Sequence, residues 1–337
     1  MSARFLQRRQ FRLMLALATS VLLLREYPRA FAADLPPSPS IRWRLERELA
    51  TLGKTTLVSF SLDNKRLMSA SYPMGLEQQV QLFDVATGAN QSNFEGAGRG
   101  ALSPDGRFLA TVAAGRIEIW KLQTGDKQAM LAGHDSPFTV SAIAYSPGGG
   151  QIATAGYDQT LRLWDAATGR PIAVLRGHDN WVYDVSYSSD GRSLVSASRD
   201  GTARIWDTAT FEERRSVAHG VAPHGIRSAI LSTDSKRLAT ACSDGTIKLW
   251  DAATGVEQHN LTGHTEMVYR VAFHPDGKTL LSASADGTAR LLNVATGESH
   301  HTFRDHKDQV TSVAFSPDGT RMATGSYDET IRLYVAP

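Results

Sequence analysis

A unit of about 42 residues recurs along this chain, and a period of that length leaves few architectures open. Gly177 to Asp207, GHDNWVYDVSYSSDGRSLVSASRDGTARIWD, is one clear copy. Within it, the runs Val182 to Tyr187 and Ser193 to Ser198 are divided by Ser188-Ser189-Asp190-Gly191. Asp200-Gly201 then divides the second run from Thr202 to Trp206. Three antiparallel strands joined by tight turns, with glycine supplying positive φ, account for the pattern. A fourth strand is expected after turns such as Asp165-Ala166-Ala167-Thr168-Gly169, which makes the unit a four-stranded meander.

Three independent markers each count seven copies. The third strand ends at Phe83, Trp120, Trp164, Trp206, Trp250, Leu292 and Tyr334, spaced by 37 to 44 residues. The turn after the first strand reads SLDN at Ser61, SPDG at Ser103 and Ser316, SPGG at Ser146, SSDG at Ser188, STDS at Ser232 and HPDG at His274. The loop between second and third strands is present in every copy and carries an Asp in five of the seven.

With Gly-His before the first strand and Trp-Asp closing the third, the chain resembles the WD-repeat family from about Arg42 to Pro337. That resemblance implies an all-β fold, a seven-bladed β-propeller of four-stranded antiparallel blades. Only Val335, Ala336 and Pro337 follow Tyr334, so the seventh blade lacks an outer strand, while a strand-like run, Arg42 to Leu49, precedes the first. Pairing that run alongside Thr330 to Tyr334 would close the ring and remove an open sheet edge.

The N-terminus is a different material. Residues 1–32 hold six Arg and one Glu, an apolar run from Leu13 to Leu24, and Ala30-Phe31-Ala32 before Ala33, the layout of an export signal. Arg8-Arg9 followed by Gln10-Phe11-Arg12-Leu13 resembles a bacterial twin-arginine leader. The expected organisation is a signal peptide at 1–32, a Pro-rich linker at 33–41 and the propeller at 42–337. The mature protein is then periplasmic or secreted. Without the leader, 30 basic and 33 acidic residues leave a charge of about −3, so the basic pI of the whole chain is not a nucleic-acid footprint. No membrane contact is expected after cleavage, and the propeller is expected to be monomeric.

The single cysteine, Cys242, excludes an intrachain disulfide and reads as a buried thiol on a second strand. His134, Thr154, Asp158 and Trp164, and again His178, Ser196, Asp200 and Trp206, have the family's spacing for a structural hydrogen-bonded tetrad. A His, a hydroxyl and an Asp also outline a hydrolase triad, but catalysis needs one such site and this chain repeats it. The set is partial elsewhere. Leu292 accompanies His264, Ser282 and Asp286; Tyr334 accompanies His306, Thr324 and Asp328; and in the fifth copy Thr240, Asp244 and Trp250 leave His219 and His224 as alternatives. The blades ending in Leu292 and Tyr334 are expected to be held less tightly. Copies one and two are expected to lack the tetrad altogether.

His300, His301 and His306 invite a metal reading that alternation along a strand opposes, and no metal or cofactor is expected. The run Gly96 to Gly100, GAGRG, lacks the Lys-Ser/Thr ending of a phosphate loop and reads as a shortened first strand. The loop from Tyr72 to Gln79 reads either as disordered or as part of a binding rim.

In a meander, the loops entering the first strand and those joining second to third share one face of the disc. The other face is made of repetitive SPDG-like and ATG-like turns. The first face varies: Phe138, Tyr157, Trp181, Tyr183, Arg199, Arg227, Met267, Tyr269 and Tyr327 fall on it by register, with roughly half expected to be exposed. Aromatics and Arg are the residue types that anchor protein interfaces. The expected function is a non-catalytic scaffold binding a protein or peptide there. The alternatives are a channel-based propeller enzyme of hydrolase, lactonase or redox type, and a cytosolic interaction scaffold.

Overall fold

The computed structural model describes residues 43–72, 79–96, 98–113, 116–134, 140–220 and 225–336. The expected leader and linker, Phe138, His224 and most of the loop after Tyr72 lie outside these residues. The described residues form 28 β-strands and no helix, arranged as seven four-stranded antiparallel sheets. Each blade is a meander. In the fourth, Val182–Tyr187, Ser193–Ser198, Thr202–Asp207 and Glu213–Ala218 lie side by side in chain order.

The turns explain the repeat's polar punctuation. In blade four Ser188 Oγ donates to Asp190 Oδ1 at 2.6 Å, while the Arg192 amide donates to the same carboxylate oxygen and the Ser193 amide to Ser188 Oγ. Gly191 takes the positive φ of 71° that closes the turn, and where the sequence has no glycine Asn64 and Ser235 adopt the same conformation.

The core is divided among the blade interfaces. Seven apolar clusters occur among the described residues, each shared by two neighbouring blades. One joins the last blade to the first, setting Ala323, Ile331 and Leu333 against Val58, Phe60, Leu67 and Phe83. At roughly 1.5–3 kcal/mol for each fully buried large aliphatic side chain, these interfaces hold the ring together. The blade ends Trp164, Trp206, Trp250, Leu292 and Tyr334 are all buried in this packing.

Closure follows the expected route. Arg44–Ala50 pairs antiparallel with Thr330–Val335, setting Arg44 opposite Val335 and Ala50 opposite Thr330. Leu49 enters the cluster between blades seven and one, and the Arg321 guanidinium donates to both oxygens of Glu46 at 2.8 and 3.2 Å. Arg47 donates to the carbonyls of Ala86 and Thr87, so the closing strand also grips a turn of blade one.

Candidate functional site

The tetrads are internal to the blades. In blade four the Trp206 indole donates to Ser196 Oγ at 2.9 Å, Ser196 Oγ lies 2.7 Å from His178 Nε2, and His178 Nδ1 lies 2.8 Å from Asp200 Oδ2. A carboxylate can only accept, so Nδ1 carries the proton and the serine hydroxyl donates to Nε2. Blade three repeats the chain through Trp164, Thr154, His134 and Asp158. Burial raises the carboxyl pKa of Asp158 and Asp200, but hydrogen bonds from His and Thr outweigh it and hold both well below the usual range. Ser196 and Thr154 are completely buried and each already accepts from an indole, so no substrate carbonyl can reach either oxygen.

The partial copies differ in instructive ways. In blade five His219 takes the histidine's place with its ring reversed: Nδ1 meets Thr240 Oγ1 at 2.7 Å and Nε2 meets Thr246 Oγ1 at 2.8 Å. Thr246 in turn donates to Asp244 at 2.6 Å, relaying the contact that blades three, four, six and seven make directly. Blade two corrects the expectation that the set is absent there. Its Trp120 indole donates to Thr111 Oγ1 at 2.9 Å, so the indole and hydroxyl persist without the imidazole. In blade seven the Tyr334 hydroxyl donates elsewhere, to Asp305 at 2.8 Å.

His306 spends both ring nitrogens on Asp328 and Thr324, while His300 and His301 are exposed on an outer strand. Among the described residues, His219, Cys242 and Asp244 offer ligand atoms within 4.8 Å of one another. Both nitrogens of His219 are engaged by threonines there. Cys242 itself is buried on its second strand. The run GAGRG is glycine-rich for packing reasons. A Cβ at Gly98, where φ is +65°, would lie 2.8 Å from the Tyr72 ring, and only Gly100 of the run enters the short strand Gly100–Leu102.

The varied face converges on the mouth of the central channel, a cavity of about 240 Å³. Its geometry arises from a repeated backbone irregularity. In six blades the register between first and second strands skips one residue, and the skipped residues are Thr56, Ser141, Tyr183, Arg227, Tyr269 and Thr311. A bulge re-aims its side chain, and all six line the mouth. Where the bulge residue is small, in blades one, three and seven, the second strand's end supplies Tyr72, Tyr157 or Tyr327 instead. Blade two contributes Arg99, from the glycine run. Each blade therefore gives the mouth at least one large polar side chain, five tyrosines with Arg99 and Arg227, and blade six adds Arg270 beside Tyr269.

Around blades three to five these side chains stack. The Arg199 guanidinium sits 4.7 Å from the Trp181 ring, Trp181 lies 5.0 Å from Tyr157, Tyr157 meets Tyr183 edge-on at 6.2 Å, and Arg227 covers Tyr183 at 4.3 Å. Tyr269 donates to Gln309 of the neighbouring blade seven at 2.6 Å, while Met267 lies half-buried outside the mouth's lining. Exposure is lower than expected. Of the eight described residues read onto this face only Trp181, at 40%, is exposed, and stacking covers Tyr157, Tyr183, Arg199 and Arg227. Sequence reasoning missed Arg99, Arg270 and Asp184 in the lining.

The family model for the WD domain, G-beta repeat, matches residues 125–165, 169–207, 215–251, 255–293 and 297–334, more than half of the chain. The chain belongs to the WD40 family. Each WD40 match joins the outer strand of one blade to three strands of the next, and the matched copies are those closing on Trp164, Trp206, Trp250, Leu292 and Tyr334. Similar proteins include an uncharacterized WD repeat-containing protein of Synechocystis, 29% identical over 148 residues, which are 42% of this chain and 40% of that protein. Nuclear distribution protein nudF 1 of Talaromyces marneffei is 32% identical over 114 residues, 32% of this chain and 24% of its own. WD repeat and SOCS box-containing protein 1 of Xenopus tropicalis is 42% identical over 82 residues, 23% and 19% respectively. The matches thus span less than half the length of these WD40 relatives.

Proposed function

We propose that this WD40 propeller is an exported, non-catalytic scaffold that binds a protein or peptide partner across the loop face. WD40 propellers generally bind protein partners. The observation that carries the reading is the continuous stack Arg199, Trp181, Tyr157, Tyr183 and Arg227, which holds an exposed indole beside the channel mouth. Large aromatics and Arg held rigid by their neighbours lose little entropy on binding, which is why such residues dominate interface energetics. The opposite face offers only repetitive turns whose polar groups satisfy one another.

Export rests on the Arg-rich leader and on Ala30-Phe31-Ala32. Affinity capture from the exported fraction, with N-terminal sequencing of the bait, tests both parts. The reading expects a start at Ala33 or a near neighbour and a stoichiometric protein partner. Intact Met1 or Ser2 on cytosolic protein contradicts export, and a bait that retains no partner contradicts the scaffold.

A further inference from the structure

The charge of the channel mouth is unbalanced. Its lining carries Arg99, Arg227 and Arg270 against one carboxylate, Asp184. Asp184 is buried, accepts the Val185 amide at 3.1 Å, and lies 3.9 Å from Arg270. Among the described residues no carboxylate pairs with Arg99 or Arg227, whose polar partners are the Ser141 and Gly98 carbonyls and the Ser243 hydroxyl. Elsewhere Arg107, Arg204, Arg214, Arg321 and Arg332 meet an acid, while Arg66 and Arg215 donate to backbone carbonyls at the blade edges. A half-buried guanidinium without a counter-charge is a standing cost that an incoming anion removes.

The remaining groups point the same way. A phenol hydroxyl can donate to an anion, and burial pushes Tyr327 upward, keeping it protonated; Tyr269, raised in the same way, already donates to Gln309. Among the described residues Asp308, in the loop entering blade seven, acts as an opposing charge on Tyr269 and Tyr327. At about 240 Å³ the mouth is smaller than the roughly 300–1,000 Å³ of organic-ligand sites, and it suits one or two side chains. The exposed Trp181 beside it gives a peptide backbone a surface to cross while a side chain drops inward.

We infer that the channel mouth receives a carboxylate side chain from an acidic peptide segment, held by Arg99, Arg227 and the tyrosine collar. This rests on the loop-face reading and names the chemistry of its partner. It does not require the partner to be in hand.

The test is fluorescence anisotropy on the full mature chain with labelled, capped hexaglutamate, its hexaglutamine counterpart, and inorganic phosphate as competitor. Hexaglutamate is expected to bind at least about tenfold more tightly than hexaglutamine, with affinity falling as salt rises. Arg227→Gln and Arg99→Gln should each weaken it about tenfold with melting unchanged. Asp184→Asn should tighten it, a gain that damage to the fold would not produce. Equal binding of the two peptides, or indifference to all three variants, overturns the inference; phosphate competing as strongly as the peptide overturns its peptide part. Loss of the captured partner with Trp181→Ala but not with Arg227→Gln or Arg99→Gln would leave the loop-face reading standing and remove this one. Loss with Arg227→Gln or Arg99→Gln but not with Trp181→Ala would keep this inference and take the indole out of the contact surface.

Discussion

The indole N–H of Trp206 donates to Ser196 Oγ at 2.9 Å, and that oxygen, fully buried, is also the partner of His178. One hydroxyl thus satisfies two buried groups. Ser196→Ala should cost about 2 kcal/mol or more, because both groups lose their partner where no water replaces it. Chemical denaturation should show a lowered midpoint with an unchanged slope. A variant as stable as the parent would mean that the tetrad does not hold the blade.

Blade five supplies a pH signature. Burial lowers the pKa of His219 to about 4, below its ordinary 6.5. The unfolded chain therefore takes up this proton first as pH falls. The stability contributed by neutral His219 is complete above pH 6.5 and declines from there down to about pH 4, by up to about 1.4 kcal/mol per pH unit. His306, also lowered by burial, adds in the same direction. The tetrad aspartates act lower, because their depressed pKa values keep their contribution intact until pH falls below about 4. Urea midpoints at pH 7 and pH 5 should differ more for the parent than for His219→Gln. Equal differences would contradict the assignment.

Closure by the N-terminal strand gives a third expectation. Deleting residues 42–50 uncovers Thr330–Val335 as a sheet edge and removes Leu49 from its cluster, so the leaderless protein should aggregate or lose much of its thermal stability. The double variant Glu46→Gln, Glu48→Gln keeps the backbone pairing and should cost no more than about 1 kcal/mol per ion pair. Similar small losses for both would show that strand pairing does not close the ring.

Much of this architecture is legible in the sequence because periodicity and turn chemistry are local signals. Seven copies, their strand ends and the missing outer strand can all be counted. The composition of the channel mouth is less legible. A bulge is a property of register between two strands, so nothing in the local pattern separates Thr56 or Ser141 from their paired neighbours. Arg99 sits in a glycine run, and Arg270 follows the bulge residue Tyr269 on a strand whose alternation gives no sign that both side chains reach the mouth. His219 was ambiguous because it reaches Asp244 through Thr246, a relay that no fixed spacing encodes. The Thr111–Trp120 pair is half of the tetrad, and without the His and Asp its spacing alone carries no signal.

The central claim is that the loop face, not the turn face, meets the partner, and the most direct measurement is the affinity of the captured partner for variants on each. Trp181→Ala removes the exposed end of the aromatic stack, while Arg192→Glu and Lys236→Glu reverse exposed charges on the turns of blades four and five. The account predicts a loss of ~2 kcal/mol or more, about thirtyfold, for Trp181→Ala, and little change for the turn variants, all with unaltered melting. Retained binding by Trp181→Ala together with loss in Arg192→Glu or Lys236→Glu would contradict it.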